Sequence, residues 1–452
     1  MINLYTTAST YLFLFLAILF LVTNFKSFSL DTGIYRDKKT VRQQRVIIFL
    51  SHLVGYLILF FQTLNEEIAI LYIQQVAFIY LFLVLYTKIY KGASNVLLNN
   101  ILYLQVIGFI FLTRLSLSYG QQQFRLSVFS AMVTLIIPYL MIKTHIIVPK
   151  FKWVYAIVGL LLLISPSLIG QEIYGAQNWI IIGGYSFQPS EIAKIAFILY
   201  LASLFRNEQS FKFVICSGLV TLLYMGIFIY QNELGIALIF FIIYVVMLYL
   251  ATSGWYYFLG GLLGASIASW IAYHNFYHFQ VRVAAWINPW QDIAGGGYQI
   301  AQSLFAIGAG GWLGTGLGKG MPHRIPVVDS DMIFPALMEE WGAIFGIVLI
   351  LIMVYIFLLG IQIGEKSYSF FYMQVAIGIS CAYGFQVFLI LGGSTKLIPL
   401  TGVTLPFISY GGSSLFASYM MFSILQGILL LNYFKDNATL PKGEDDDQKE
   451  KS

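Results

Sequence analysis

The sequence has little charge: Asp, Glu, Lys and Arg make up 10% of its 452 residues, while 59% of the residues are hydrophobic. Soluble domains carry about 25% charged residues, so a water-soluble globule of this composition could not cover its surface with ionic groups. Cysteine is also scarce, and Cys216 and Cys381 both lie in apolar runs, which is typical of packing residues. The composition excludes a secreted disulfide scaffold, a nucleic-acid-binding protein and a cytosolic enzyme.

The common short catalytic motifs are missing as well. The sequence has no Walker-type phosphate loop, no His-Glu-x-x-His zinc pair and no Gly-x-Ser-x-Gly elbow. Its five histidines are scattered, which argues against a histidine-based metal site. The formal charge of +5 does not indicate a nucleic-acid partner, because most of it falls in segments predicted to lie on the inner membrane face.

Long apolar runs are what the sequence has in abundance. A run of about 18 residues or more is long enough to cross a bilayer as a helix. The runs predict an all-α fold, a polytopic membrane helix bundle of about thirteen transmembrane helices. The predicted spans are 4–25, 46–62, 68–87, 95–113, 126–142, 153–170, 190–205, 212–231, 235–252, 255–274, 340–362, 370–391 and 412–434.

The distribution of basic residues predicts the orientation of the chain. The first span has no charge ahead of it and a basic stretch behind it, so the N-terminus is expected outside. With the spans alternating from there, 18 of the 25 Lys and Arg residues fall on the inner side, together with the C-terminus. The tail, residues 435–452, has no apolar content and is predicted to be disordered in the cytoplasm. The other seven cations lie outside or near outer helix ends: Arg114, Arg125, Lys194, Arg282, Lys319, Arg324 and Lys396.

Two outer segments differ from ordinary connectors. Residues 275–339 form a long loop that is rich in tryptophan and glycine, so we expect it to be structured and to pack on the membrane surface. Residues 396–414 are rich in Gly, Pro and Ser between two apolar runs. Because an ionisable residue at membrane depth is costly, the charged residues in and near these segments are candidates for function.

Two candidate groups precede the long loop. In the first, Ser190 is expected to cap a helix whose first turn carries Glu191, and Lys194, three residues later, can share a face with Glu191. The second is Glu233, at the outer junction of two spans. The alternatives are a capped helix with a local ion pair for the first group and a solvated turn carboxylate for the second.

The long loop carries the third group. Gly308–Gly320 is dense in glycine and contains Lys319, so its backbone N–H groups are candidates for binding phosphate. Asp331 is followed at once by an apolar stretch, where partial burial can raise the pKa of a carboxylate towards that of a general base. Asp329, two residues earlier, is expected to point the other way in an extended segment. The alternative is a flexible loop with scattered charges.

The fourth group is Pro399–Ser414. Its prolines and glycines prevent a regular helix, and irregular backbone at membrane depth is tolerated only where it is buried in protein or lines a cavity. The alternative is a purely structural turn.

Taken together, these segments resemble the SEDS family (shape, elongation, division and sporulation), the RodA/FtsW-type membrane glycosyltransferases of bacterial cell-wall synthesis. The strongest match is Pro399–Ser414, which is similar to the family signature PLTGxxLPFxSYGGSS. Four further segments match in the family's order: Trp179 with Phe187–Lys194 (W…GxFSFQPSExxK), Arg282–Trp290 (R…PW), Gly297–Gly320 (GYQ…SLxAIGxGG…GxGxG) and Ser330–Gly342 ((T/S)DFIF…EELG).

The resemblance implies three regions. Residues 1–94 carry three extra membrane helices, residues 95–434 form a ten-helix SEDS-like catalytic core, and residues 435–452 are the cytoplasmic tail. The extracellular loop 275–339 then falls between core spans seven and eight, where the family keeps its catalytic loop.

The resemblance also implies an activity: polymerisation of lipid II, the lipid-linked disaccharide-pentapeptide precursor, into glycan strands at the outer face of the bacterial plasma membrane. Asp331 matches the catalytic aspartate of the family and is expected to be the base. Five cations are candidate contacts of the diphosphate: Lys319, Arg324, Arg282, Lys194 and Lys396. The other expected substrate-binding residues are Glu191, Glu233, Trp179, Glu340 and Ser409.

The partners implied by the resemblance are a class B penicillin-binding protein, which cross-links the strands, and other proteins of the division or elongation complex. Whether a divalent cation, magnesium or manganese, binds the diphosphate is left open, and no protein ligands are assigned to it. The resemblance does not choose between elongation, division and sporulation.

One departure from the family and two rival functions remain. Many members carry two basic residues before the motif tryptophan, where this chain has Gln177 and Asn178, so phosphate binding by this turn is less expected.

The first rival function is that of a transporter that moves lipid II across the membrane, although no internal repeat is visible in the sequence. The second is a non-catalytic scaffold of the cell-wall synthesis complex, against which the intact Asp331, Lys319 and Glu340 argue through the resemblance.

Overall fold

The structure is a computed structural model that describes residues 2–29, 38–144, 146–173, 176–183, 185–206 and 211–439. Over these residues the chain is almost entirely helical. The α-helices are α1 Ile2–Ser29, α2 Lys38–Thr63, α3 Glu66–Ile89, α4 Asn95–Leu115, α5 Leu117–Thr134, α6 Ile136–Thr144, α7 Lys152–Ile169, α8 Pro189–Leu204, α9 Phe211–Tyr230, α10 Leu234–Thr252, α11 Trp255–Asn275, α12 Tyr277–Ile287, α13 Tyr298–Gly310, α14 Ile333–Glu365, α15 Phe370–Ser394 and α16 Gly412–Thr439.

The predicted membrane spans coincide with helices. Each of the thirteen apolar runs falls within a helix, with at most one residue beyond its C-terminal end, or, for the run 126–142, within the α5–α6 pair. Among the described residues, ten spans are long and apolar enough to cross a membrane. Helix α8 has 16 residues, and the apolar part of α1, Thr10–Lys26, is also shorter than these ten. The chain is therefore a multi-pass membrane protein, and the count of thirteen spans stays a prediction.

Helix α4 lies at the centre of the bundle. Its sequence is largely apolar, with Asn99, Asn100 and Gln105 as buried polar side chains, and its most apolar window is buried throughout. A helix that is buried on every side is stable only when other helices surround it. Helices α2, α5 and α14 pack on α4, and α15 and α16 are the next most buried spans. The first three helices thus share one core with the rest, because α2 packs on α4 and α1 packs on α14.

Helix α14 is broken near its start. Gly342 has φ 86° and ψ 168°, which separates a short first part, residues 333–341, from the long span that follows. A residue with a Cβ is strained at this φ, so glycine is required here. The break matters for the site because Asp331 lies immediately ahead of the short part.

The segments between the spans contain structure that the sequence did not predict. The long loop 275–339 includes α12, α13 and two short 3₁₀ helices, Pro289–Asp292 and Pro322–Arg324. Between α7 and α8 the chain forms an antiparallel sheet of β1 Gln171–Ile173, β2 Ala176–Ile182 and β3 Tyr185–Phe187. The helical membrane fold is confirmed, with this small sheet added to it.

Two predicted boundaries were wrong. Helix α8 begins at Pro189, so Ser190 lies inside its first turn and is not the N-cap. Helix α16 continues to Thr439 and includes the start of the segment predicted as a disordered tail. The rest of that tail, 440–452, lies outside the described residues.

Candidate active site

A cavity of about 750 Å³ opens between the β2–β3 hairpin, α8, α10, α12 and the two segments that lead into α14 and α16. It brings together residues that are far apart in sequence. Asp331, Glu191, Glu233, Arg282 and Trp179 all line it. The cavity therefore collects the predicted base and four of the predicted substrate-binding residues.

A tight turn presents Asp331 to the cavity. The N–H groups of Ser330 and Met332 both donate to the carbonyl of Val327, at 3.2 Å each. Val327 has φ 53°, a left-handed conformation that turns the chain back on itself. As a result Asp329 lines the cavity too. The expectation that Asp329 points away was wrong, because alternation applies to extended backbone and this segment is a turn.

The segment Pro399–Ser414 holds this turn in place. The N–H of Tyr410 donates to the carbonyl of Asp329 at 2.8 Å, and the Ser409 hydroxyl donates to the carbonyl of Ser330 at 2.7 Å. The same hydroxyl accepts a hydrogen bond from the N–H of Leu405 at 2.9 Å. Ser409 is not among the lining residues, so its contacts make it a positioning residue for Asp331.

The surroundings of Asp331 disfavour its charge. Burial among protein atoms raises the pKa of its carboxyl to about 7, and nearby Asp329 acts in the same direction. The Ser330 side chain and Arg282 lower that pKa and limit the rise. A carboxyl that titrates near neutral pH suits a general base.

Glu233 is a second carboxyl of the same kind. It is the N-cap residue of α10, only 9% exposed, and its carboxyl hydrogen-bonds to the side chain of Asn178. Burial raises its pKa to about 7, Arg282 and Asn178 lower it, and Asp331 and Glu191 raise it. The two carboxyls with pKa values near 7, Asp331 and Glu233, are therefore both influenced by Arg282, which lowers the pKa of each.

Asn178 links three parts of the site. Its Nδ2 donates to the hydroxyl of Ser190 at 3.0 Å, its side chain bonds to Glu233, and it is fully buried in β2. One of the two residues at which this chain departs from the family is thus a neutral contact of a cavity carboxylate. A cation there would ionise Glu233 more strongly.

Glu191 and Lys194 form the predicted pair on one face of α8. Lys194 Nζ lies 2.9 Å from Glu191 Oε2 and donates to Gln386 Oε1 at 2.7 Å. Gln386 in turn donates to the carbonyl of Thr404 at 3.0 Å. Glu191 lines the cavity, whereas Lys194 is buried behind it and does not.

The glycine-rich segment lies outside the cavity. The carboxylate of Glu340 accepts hydrogen bonds from the N–H groups of Gly318 and Gly320, at 3.0 and 3.2 Å, and pairs with Arg114 at 3.1 Å. These two N–H groups belong to the segment that was predicted as a candidate for phosphate binding, and they are occupied by a carboxylate of the chain itself. Glu340 is a structural anchor in this arrangement and not a lining residue.

Sequence distance from Asp331 did not predict which cation reaches the cavity. Lys319 and Arg324, the two nearest in sequence, are exposed and do not line it. Lys396 also lies outside the lining, where its carbonyl accepts a hydrogen bond from the indole of Trp286 at 3.2 Å. Arg282 is the one cation of the predicted five that lines the cavity in the described part of the chain.

Several polar residues of the cavity were not predicted individually. Thr401, Thr404, Tyr410, Ser413 and Ser414 belong to the signature segment, which marked them as a group. Gln299 belongs to the matched segment Gly297–Gly320, and no pattern in the sequence pointed to Tyr119 or His278. The described residues contain no group of three His, Cys, Asp or Glu side chains that could hold a metal ion.

Comparison with known proteins gives matches over most of the chain. Residues 94–432 match the family model of FtsW, RodA and SpoVE, described as a cell cycle protein. The peptidoglycan glycosyltransferase RodA of Mycobacterium tuberculosis (strain ATCC 25618 / H37Rv) is 31% identical over 306 residues, or 64% of this chain and 65% of the relative. Stage V sporulation protein E of Bacillus subtilis (strain 168) is 35% identical over 278 residues, or 60% of this chain and 75% of the relative. The chain thus spans a little under two thirds of its mycobacterial relative.

Solved structures share the fold. A chain from a structure described as "Structural coordination of polymerization and crosslinking by a peptidoglycan synthase complex" matches with TM-score 0.64 and 23% identity, covering 78% of this chain and 100% of that chain. The rod shape determining protein RodA of Thermus thermophilus matches with TM-score 0.55 and 22% identity, over 76% of this chain and 97% of that chain.

Proposed function

The chain belongs to the FtsW, RodA and SpoVE family of cell cycle proteins, and we propose that it is a membrane peptidoglycan glycosyltransferase that polymerises lipid II. The observation that carries this proposal is the cavity in which Asp331 faces Arg282 and Glu233. A base beside a cation is what transfer of a sugar from a diphosphate needs. The names of the relatives, peptidoglycan glycosyltransferases among them, support the same reaction.

The proposed reaction joins two disaccharides. The 4-hydroxyl of one attacks the anomeric carbon of the other, and Asp331 takes the hydroxyl proton as the new bond forms. The bond from the anomeric carbon to the diphosphate oxygen breaks, and undecaprenyl diphosphate leaves with the electron pair. Arg282 faces the charge that builds on the diphosphate, while Glu191, Glu233 and Trp179 line the rest of the cavity and contact the sugars.

The other predicted site residues receive supporting roles in this proposal. Ser409 positions the Asp331 turn, Lys194 neutralises Glu191, and Glu340 anchors the glycine-rich segment. Lys319, Arg324 and Lys396 are assigned no contact with the transferred sugar, because they lie outside the cavity.

The orientation belongs to the same proposal. With the N-terminus outside and the C-terminus inside, the segments 275–339 and 396–414 lie on the outer face of the bacterial plasma membrane, and both contribute to the cavity. The glycan strand would then grow outside the cell. A class B penicillin-binding protein that cross-links the strands is the proposed partner, together with other proteins of the division or elongation complex.

The test is polymerisation of lipid II by the purified chain in detergent or vesicles. Polymer formation supports the proposal. Movement of lipid II between leaflets without polymer would favour the transporter. If the protein neither polymerises nor moves lipid II, the non-catalytic scaffold would be favoured.

We expect the rate of polymerisation to rise with pH through neutrality. The base must be ionised, and burial raises the pKa of Asp331 to about 7, so kcat/KM should fall about tenfold per pH unit on the acid side. Glu233 titrates in the same range and the two interact, so the apparent pKa belongs to the pair. Initial rates between pH 5 and 9 check this, and a rate independent of pH would contradict it.

A change at Asn178 should move that profile. Asn178→Asp keeps the shape of the side chain and adds a negative charge beside Glu233, which raises the pKa values of the cavity acids. The acid limb is expected to shift by about one pH unit to higher pH. Gln177→Glu is the matched control, because residue 177 is next to Asn178 in the strand, and consecutive side chains of a strand point to opposite faces. An equal shift in both variants would show a general charge effect instead.

A further inference from the structure

Helices α1 and α2 reach the loop that precedes Asp331. The side chain of Gln62, near the end of α2, donates from Nε2 to the carbonyl of Leu317 at 2.7 Å. These two residues are 255 positions apart, and Gln62 lies ahead of residues 94–432, which match the family. A segment outside the family core therefore binds the backbone of the glycine-rich segment.

The glycines of that segment fit this contact. Gly316 and Gly318 have φ values of 104° and 84°, which L side chains rarely adopt. A Cβ on Gly318 would overlap the amide of Gln62, and one on Gly316 would lie 3.3 Å from the hydroxyl of Thr10 in α1. Part of the glycine pattern that the sequence offered for phosphate binding is thus needed for close approach of α1 and α2.

A second contact bears on the short first part of α14. The ring of Phe13 in α1 stacks on the indole of Trp341, with centroids 4.5 Å apart and an interplanar angle of 17°. Trp341 is the last residue before the break at Gly342. Both rings are 1% exposed, so the contact is fully packed.

The break ties the loop to the same short helix. Because Gly342 interrupts α14, the carbonyls of Glu339 and Glu340 are free to accept hydrogen bonds from the N–H groups of Thr315 and Gly316, at 2.9 and 2.8 Å. The loop and residues 333–341 therefore form one hydrogen-bonded unit. Asp331 lies two residues before residue 333, where the short helix of this unit begins.

We propose that the first two helices, α1 and α2, position the catalytic loop: Gln62 and Phe13 hold the unit formed by the glycine-rich segment and residues 333–341, and through it Asp331. This inference rests on the proposed glycosyltransferase function. Gln62 and Phe13 touch neither the cavity nor the substrate in this scheme and act only through the unit they hold.

The experiment uses Gln62→Leu, which keeps the volume of the side chain and removes its donor. Loss of one hydrogen bond to a buried carbonyl should lower kcat about fivefold, with KM for lipid II unchanged. Phe61→Leu is the control, because Phe61 is the neighbouring residue and is 61% exposed. Its kcat should equal that of the unchanged protein.

A second readout needs no activity. Leu317 is 1% exposed, so a cysteine placed there (Leu317→Cys, with Cys216 and Cys381 replaced by Ala) should react slowly with a thiol reagent. Adding Gln62→Leu should increase the labelling rate about fivefold, because the loop opens more often. If Gln62→Leu does not fold, Gln62→Asn, which is too short to reach the carbonyl, takes its place.

The outcomes separate the two ideas. Faster labelling with lower kcat supports the positioning role. Unchanged labelling, or faster labelling with unchanged kcat, overturns it. If the unchanged protein makes no polymer at all, the proposed function fails, and the labelling rate still decides whether Gln62 holds the loop.

Discussion

Asp331→Asn is expected to lower the turnover of lipid II by about 10³-fold or more, since a general base contributes roughly 10²–10⁴ and the amide cannot accept the hydroxyl proton. The cavity keeps its shape in this variant, because the turn is held by backbone contacts to Tyr410 and Ser409 that do not involve the carboxyl. The loss should therefore fall on kcat and not on KM. Polymer length and rate, measured from purified protein and lipid II, check the prediction.

The matched control is Asp329→Asn, in the same turn and the same cavity. Asp329 raises the pKa of Asp331, so its neutralisation should shift the acid limb of the pH profile to lower pH and leave turnover within about tenfold. Equal losses in the two variants would mean that the cavity needs both charges and not one base. Undiminished polymer from Asp331→Asn would remove this residue as the base.

Asp331→Asn also has an expected effect on stability. Burial raises the pKa of Asp331 above its ordinary range, so the folded state favours the protonated carboxyl, and ionisation at pH 8 costs stability. Asparagine removes that cost. The thermal midpoint of Asp331→Asn at pH 8 should equal or exceed that of the unchanged protein, and the difference should shrink as the pH is lowered towards 5. An inactive but stable variant separates loss of the base from loss of the fold.

The fold was predictable from the sequence wherever the decisive property was local. A run of apolar residues long enough to span a bilayer determines a helix by itself, and every predicted span coincides with helical structure. The β1–β3 sheet, α12 and α13 were missed because these short elements depend on their contacts with the spans. The turn at Val327 was missed for the same reason, since nothing in Val327–Asp331 requires a left-handed valine.

The site divides in a similar way. The signature Pro399–Ser414 could be singled out because its prolines and glycines give irregular backbone at membrane depth. Asp331 could be singled out because an apolar stretch follows it at once. The sequence did not predict which cation lines the cavity with them. Arg282 reaches the cavity through the placement of α12 and not through proximity in sequence. The sequence also could not show that Glu340, 20 residues from Gly320, accepts a hydrogen bond from the N–H of Gly320, a group in the segment predicted to bind phosphate.

Lys194→Met should cost about 3–5 kcal/mol of stability, the largest structural loss expected from one side chain of the site. The lysine and glutamate side chains are 3% and 10% exposed, so the substitution leaves the carboxylate of Glu191 buried without its ammonium. It also removes the donor to Gln386, whose amide reaches the signature segment through Thr404. The thermal midpoint of the purified protein should fall by several degrees, and activity should fall with it.

The double variant Lys194→Met/Glu191→Gln identifies the cause of that loss. If the cost comes from an unpaired buried charge, a neutral glutamine should recover most of the stability, as replacement of both partners of a buried pair usually does. Activity need not return, because Glu191 itself lines the cavity. Lys88→Met, at an exposed lysine of α3, is the control and should leave the midpoint unchanged. A double variant as unstable as Lys194→Met would assign the loss to the contact with Gln386 and not to the charge of Glu191.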